Sequence, residues 1–558
     1  MDSYYDLGTY TRPITTGCDT AREWARRGLI WVYGFHHEEA VACFDRALET
    51  DPACPLALWG RAYALGPNYN YSWELMDPKS RAKTLSKCHA ATVAACAARK
   101  GASPAEQALI NALPHRFPQA DLPENIEALT AWNVAFADAM RAAQAAHPDD
   151  RDLRAIYAEA LLNITPWQMW DLASGGPAAG ARTLEAQQVL EDAFETDADA
   201  WAHPGLLHLY IHLMEMSPAP ERALRQADAL RGLVPDAGHL LHMASHIDVL
   251  CGDYPAVISA NMAAMRADRR EYDRSGGSNF YTLYRIHDYH FIIYGALFAG
   301  QLAPALAANR EIHDTVPADL LRVETPPMAD FLEPFLSFEP HILIRFGKWQ
   351  EILALPFPDE PDLHCTWIAT LHYAKGVAHA ALGQVAEAEA EQERFRAARA
   401  RVPDSRLLHN NTMQDLFAIA DAMLAGEIEY RKGAYDTAFE HLRRSVALDD
   451  SLPYDEPWGW MQPTRHALGA LLFEQGRVED AEDVYRQDLG LVSSAGPALP
   501  RVQIHPDNVW AMRGLYQCLT ARGQSGEAAM LKRRLDVVEA RADAPVRASC
   551  FCAQAAMS

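Results

Sequence analysis

The stretch GHLLHMASHI, residues 238–247, sets His239, His242 and His246 within eight residues. Helix positions three and four apart share a face, so these imidazoles would point the same way. A second set stands 34 residues earlier, where His208 and His212 precede His242 and His246. Glu215, seven after His208, stays on that face. A third pair, His287 and His290, follows in RIHDYHFIIY. Neutral imidazoles suit zinc, copper or iron better than magnesium or calcium, and six or more of them could hold one or two ions. A lone HxxxH pair is usually incidental, and a core histidine bonded to a carbonyl is common. Seven histidines in phase, out of 22, are harder to explain that way. The other account is a polar groove that grips an anionic peptide through protonatable imidazoles.

Carboxylates near the cluster are few. Glu159, in LRAIYAEALLNITPW, and Glu215 are candidate catalytic groups, as ligand, orienter or proton acceptor; a plain salt bridge is the alternative for both. With Tyr210, Tyr289 and Tyr294 nearby in sequence, dioxygen chemistry at copper or iron is the favoured reaction class. Zinc-assisted hydrolysis, through a metal-lowered water pKa, explains the same residues almost as well. Trp59, Asn68, Asn70, Trp167 and Tyr210 are candidate contacts for a small-molecule substrate, with Trp170 beside them; inter-helix packing is the usual occupation of such tryptophans.

Several chemistries are excluded by motif. Leu209 follows His208, so there is no HExxH and no zincin base. No GxxxxGK[ST], no GxGxxG after a strand and no GxSxG occurs. A di-iron carboxylate bundle would want glutamates in Glu-x-x-His pairs, where this chain offers imidazoles.

The elements that must carry these residues are helix pairs. GDYPAVISANMAAM at 252–265, GQLAPALAANREI at 300–312, GQVAEAEAEQERF at 383–395, GAYDTAFEHLRRSVAL at 433–448 and GRVEDAEDVYRQDL at 476–489 each start with a glycine. Each then continues as an Ala-rich helix. Glycine supplies a left-handed cap and alanine permits close helix approach. His203 precedes Pro204, which suits a first helical position and places His203 at a helix start. Strand signals are nearly absent.

This pattern resembles the tetratricopeptide repeat, a helix–turn–helix unit of roughly 34 residues. The resemblance implies an all-α, right-handed α-solenoid with ten or more helix pairs and no clear domain boundary. Residues 1–20 would form an N-terminal arm, 21–539 one superhelix and 540–558 a flexible tail. Counted from Gly252, His239, His242 and His246 take the second, fifth and ninth positions, which in this family line the concave groove. Counted from Gly300, His287 and His290 take the second and fifth. The chain is also similar to a histidine-rich subset of these proteins, in His203–Glu215, His239–Ile247, Phe35–Ala40 and Ala64–Asn70. That likeness implies membership and no particular reaction. The usual occupation of the repeat class is a non-catalytic adaptor that holds a peptide, normally through Lys, Arg and Asn at the groove positions.

The bulk properties agree with a packed protein. The 558 residues carry a net charge of −24 from 50 basic and 74 acidic side chains, which disfavours nucleic acid and anionic membranes as partners. The opening MDSYYDLGTYTRP lacks a basic start and an apolar core, so no secretory leader is expected. Ten cysteines, scattered but for CFC at 550–552, fit free thiols in a reducing cytoplasm. PYDEPWGWMQP at 453–463 reads as a packed loop, or as a segment that closes over the groove. Oligomeric state leaves no mark on the sequence.

Overall fold

Gly300 ends helix Thr282–Ala299 in the left-handed conformation, at φ 71°, and its N–H reaches back to the carbonyls of Ala296 and Leu297. Gly383, Gly433 and Gly476 hold the same conformation, at φ 76°, 79° and 74°, where a Cβ would be strained. A new helix starts within two residues of each: Leu302–Thr315, Val385–Arg399, Tyr435–Asp450 and Val478–Asp488. The turn glycines therefore fold the chain into helix hairpins, as their spacing predicts. The computed structural model describes residues 4–494, 496 and 498–553. Among these the only named strands, Leu407–Leu408 and Asn411–Thr412, form one short antiparallel ladder. The fold is all-α.

The chain divides into two compact units. One comprises Met1–Ile247 and Ala263–Arg274, the other Asp248–Met262 and Ser275–Ser558. The divisions fall inside helices Ala244–Cys251 and Tyr254–Ser275. Local hairpin signals carry no record of such a division, because it is set by contacts between residues far apart in sequence.

In the first unit, helix Asp19–Tyr33 packs on His37–Thr50, on Pro55–Ala64 and on Pro204–Met214. Helix Arg151–Leu162 also touches Pro204–Met214. The arm over residues 4–18 is tied down along its length. Trp31 Nε1 donates to the Tyr4 hydroxyl at 2.8 Å, and Thr15 N donates to Glu106 Oε1 at 2.9 Å. Arg12 pairs with Asp150 at 3.2 Å and with Asp152 at 3.0 Å. Tyr10 and Tyr33 both donate to Asp152. Burial opposes ionisation of Asp152, but Arg12, His203 and Tyr10 outweigh it and hold the carboxyl well below the usual range. Residues 1–3 of the arm lie outside the described residues.

In the second unit, helices Cys365–Ala381 and Val385–Arg399 form one hairpin and Met413–Arg431 with Tyr435–Asp450 the next, with their first helices in contact. PYDEPWGWMQP is a buried loop here. Trp458 Nε1 donates to Asp449 Oδ1 at 3.0 Å, and Asn411 Nδ2 to Asp455 Oδ2 at 2.6 Å.

Within the expected flexible tail, Ala548, Ser549, Cys552 and Ala553 are buried. Ser549 is fully buried, with its hydroxyl on the His466 carbonyl at 2.8 Å. Arg345 and Arg431 donate to the carbonyls of Ser549 and Cys552. Residues 554–558 of the expected tail lie outside the described residues. Cys550 and Cys552, the pair set apart from the scattered cysteines, are joined by a disulfide. Among the described residues, no helix is long and apolar enough to cross a membrane.

Candidate metal centre

Helix Pro204–Met214 begins as the sequence predicts, with Pro204 in its first turn and the His203 ring as its cap. His203 Nδ1 accepts from Leu206 N–H at 3.2 Å. Gly205 comes next, and a Cβ there would stand 2.5 Å from Tyr33 Cδ1. Its absence lets the Tyr33 ring lie against the helix, one turn below His208. The Tyr33 carbonyl then sits 2.6 Å from His208 Nδ1. A carbonyl only accepts, so Nδ1 carries the proton and Nε2 keeps its lone pair.

The next turn repeats the device with a carboxylate. His212 Nδ1 lies 2.9 Å from Glu215 Oε1, which again leaves Nε2 as a lone pair. Both rings are fully buried, and neither Nε2 has a hydrogen-bond partner among the described residues. Buried polar atoms are normally satisfied, so two such nitrogens side by side demand a reason. His239, from the short helix Gly238–His242, brings its ring centroid to 4.9 Å from His208 and 6.2 Å from His212. One ring nitrogen from each of the three lies within 4.8 Å of the others. Nitrogens sharing one tetrahedral ion are about 3.3 Å apart, so small side-chain rotations close the set.

The same carboxylate serves a second pair. Glu215 Oε2 lies 2.8 Å from His246 Nδ1, and His246 Nε2 faces His242 Nε2 at 2.6 Å. Burial pushes His208 and His246 down to about 3. It also takes His212 and His239 well below the ordinary histidine value, with neighbouring imidazoles adding to the effect. These four rings are neutral at physiological pH, as metal ligands must be. Neutral, buried rings are unsuited to a cationic grip on an anionic peptide. Any such partner would use other surfaces.

Aromatic rings close the remaining sides. Phe35, at φ 55°, places its ring centroid 4.5 Å from His208, 5.7 Å from His212 and 5.9 Å from His239. Asn68 Nδ2 donates to the Phe35 carbonyl at 3.5 Å. Its Oδ1 accepts from Asn70 N at 3.0 Å and Tyr71 N at 2.9 Å. Asn68 and Asn70 thus brace the loop behind Phe35. The Tyr69 ring lies 4.8 Å from His212. Trp167 stacks on Tyr69 at 5.4 Å, and its backbone N–H donates to the Tyr69 hydroxyl at 3.2 Å. Trp167 is half-buried and sits at φ 62°, a strained conformation of the kind that collects at functional sites.

Other expected site residues are placed elsewhere. Tyr210 donates to Glu191 Oε1 at 2.8 Å and packs on Phe194 at 5.6 Å. Two residues turn a helix by about 200°, so it points away from the face of His208, and its expected substrate role is corrected. Trp59 is buried and stacks on Tyr63 at 5.1 Å. Trp170 donates to the Leu213 carbonyl at 2.6 Å. Both are packing residues. Glu159 is buried against Tyr63, Arg116 and Asn163. Burial raises it to about 6, and those three groups pull the other way.

His287 and His290 belong to the second unit, on helix Thr282–Ala299. There His287 Nδ1 lies 3.2 Å from His409 Nε2, and His290 Nε2 lies 3.1 Å from Met461 Sδ. The His290 ring stacks parallel to His409 at 5.6 Å. Tyr294, on the same helix, reaches His505 Nε2 at 3.3 Å. His409 was not anticipated, since it stands alone in LLHNNT. Phe35 and Tyr69 were also missed, although both lie inside quoted segments beside residues that were singled out.

No family model matches the chain, and no curated protein does. Solved structures do match. Naa15/Naa10 bound to HypK-THB is 13% identical with a TM-score of 0.23, covering 92% of this chain and 70% of that one. The APC/C hetero-tetramer Cut9–Hcn1 is 12% identical with a TM-score of 0.27, covering 93% of each. At these scores the likeness carries no argument about function.

Proposed function

We propose that the first unit binds a transition-metal ion through Nε2 of His208, Nε2 of His212 and a ring nitrogen of His239, as the centre of a metal-dependent enzyme. The observation that carries this reading is the pair of buried Nε2 atoms without partners. Each belongs to a ring whose Nδ1 is already committed, one to a carbonyl and one to a carboxylate. Such committed Nδ1 partners are what metal-binding histidines use to fix tautomer and orientation.

An all-imidazole ligand set suits copper, iron or zinc. Copper or iron would supply redox chemistry with dioxygen; zinc would supply an activated water for hydrolysis. The chain's own residues do the rest. Phe35 keeps water from one side of the imidazoles, and Trp167 with Tyr69 forms the half-exposed side from which a small organic substrate would approach. The test is elemental analysis of untagged protein grown in metal-supplemented medium and purified without chelator. Stoichiometric copper or iron, lost in His208→Ala and His212→Ala, is the expected result. No metal in any preparation would sink the proposal.

A second reading is a non-catalytic scaffold for a peptide or protein partner. What favours it is the helix-hairpin architecture, since stacked hairpins expose long continuous surfaces suited to such partners. It becomes the better account if no metal binds.

A further inference from the structure

We propose that the second unit carries a zinc site of its own, made by Cys550 Sγ, Cys552 Sγ and the Glu427 carboxylate, and that the Cys550–Cys552 disulfide is its closed, metal-free form. The site uses none of the residues of the histidine centre and does not depend on it.

Three features converge there. Cys550 and Cys552 are the one pair two residues apart among the ten cysteines. Glu427, on helix Met413–Arg431, brings a carboxylate oxygen to the pair, and the three ligand atoms lie within 4.8 Å of one another. That carboxylate is also under-used. Glu427 is 3% exposed, its Oε2 has no hydrogen-bond partner among the described residues, and Arg431 Nη2 stands off at 3.7 Å. Buried carboxylates are normally paired and hydrogen-bonded more closely than this, so Glu427 keeps an oxygen for a cation.

The segment that carries the sulfurs is fixed on both sides. The Ser549 hydroxyl donates to the His466 carbonyl at 2.8 Å, and Arg431 donates to the Cys552 carbonyl. The Phe551 ring lies against Gly347, where a Cβ would come within 2.7 Å of its Cγ, and stands 6.0 Å from Trp510. The Cys552 backbone N–H donates to Cys550 Sγ at 3.1 Å, a contact that stabilises a thiolate. Cys550 is half-buried and Cys552 buried, so a reductant meets Cys550 first.

A dithiol breaks the S–S bond by exchange. It gives two electrons and two protons to the sulfurs and leaves as its own disulfide. Zinc then displaces both protons and forms two Zn–S bonds, with a Glu427 oxygen as third donor. Thiolates select zinc or copper(I), and the carboxylate favours zinc. On one tetrahedral ion these donors stand about 3.6–3.8 Å apart, within the observed convergence. Two thiolates and a carboxylate bring three negative charges, which the zinc ion and the Arg431 guanidinium balance.

The test titrates the full chain, stripped of metal and reduced with a phosphine, with cobalt(II) alone. The readout is the thiolate-to-cobalt charge-transfer band, which imidazole ligands do not give. The reduced parent shows the band, the disulfide form does not, and His208→Ala keeps it. The double variant Cys550→Ser, Cys552→Ser loses it, and Glu427→Gln needs about tenfold or more cobalt to reach half-saturation. No band in the reduced parent overturns the proposal. So does a band that survives in the double variant, or a Glu427→Gln titration equal to the parent's. If the double variant fails to fold, as judged by circular dichroism, the reduced and disulfide forms of the parent decide the matter.

Discussion

The backbone carbonyl of Tyr33 lies 2.6 Å from Nδ1 of His208. The two residues are 175 positions apart in sequence, so helix Asp19–Tyr33 acts as a support for a proposed metal ligand. Gly205 makes this possible, because a Cβ there would stand 2.5 Å from the Tyr33 ring. Gly205→Ala should cost about 1–3 kcal/mol through overpacking. It should also weaken metal binding, by shifting the carbonyl that orients His208. Urea unfolding and metal titration of the same variant check both effects.

Glu215 Oε1 lies 2.9 Å from Nδ1 of His212, a member of the three-histidine set, and its Oε2 lies 2.8 Å from Nδ1 of His246. Glu215→Gln keeps the shape but loses the charge and one acceptor. Metal affinity should fall about 10–100-fold, with helical content unchanged. An affinity equal to the parent's would show that the carboxylate orients nothing.

Glu159 gives a stability signal that depends on pH. Its folded pKa, raised to about 6 by burial, exceeds its unfolded value. The fold therefore favours the protonated form, a contribution fully present below about pH 4.5 and lost as pH rises through about 6. Glu159→Gln should stabilise the protein by about 2 kcal/mol at about pH 8 and leave it nearly unchanged at about pH 4. Denaturant midpoints at the two pH values decide this, and a catalytic role for Glu159 would show separately as lost activity.

His37 works in the opposite direction. Burial, with Arg116 nearby, lowers it to about 3. A histidine depressed in the folded state contributes stability that is present above its unfolded value near 6.5 and lost as pH falls toward about 3. Acidification through that window should destabilise the parent by up to about 1.4 kcal/mol per pH unit per such group. His37→Gln should flatten the slope by one proton in urea unfolding measured across the window.

Much of the candidate site was legible because helical spacing and the 34-residue repeat are local arithmetic. Counting alone places His208, His212, His239, His242 and His246 near one another, as the structure does. The helix start at His203-Pro204 was legible too. What counting could not give is direction and long-range partnership. Tyr210 stands two residues from His208 in sequence and faces Glu191 on another helix. Phe35 and Tyr69 touch the histidine rings through loops whose path no periodicity encodes. The division into two units escaped for the same reason. The Ala-rich end looked frayed, yet Arg345 and Arg431 seize its carbonyls from more than a hundred residues away.

The most direct test is the metal-edge X-ray absorption spectrum of the loaded protein, compared with that of His212→Ala. The account predicts a shell of nitrogen scatterers at about 2.0–2.1 Å with imidazole multiple scattering, which loses one imidazole in the variant. A shell made of oxygen or sulfur, or one unchanged in His212→Ala, would contradict it.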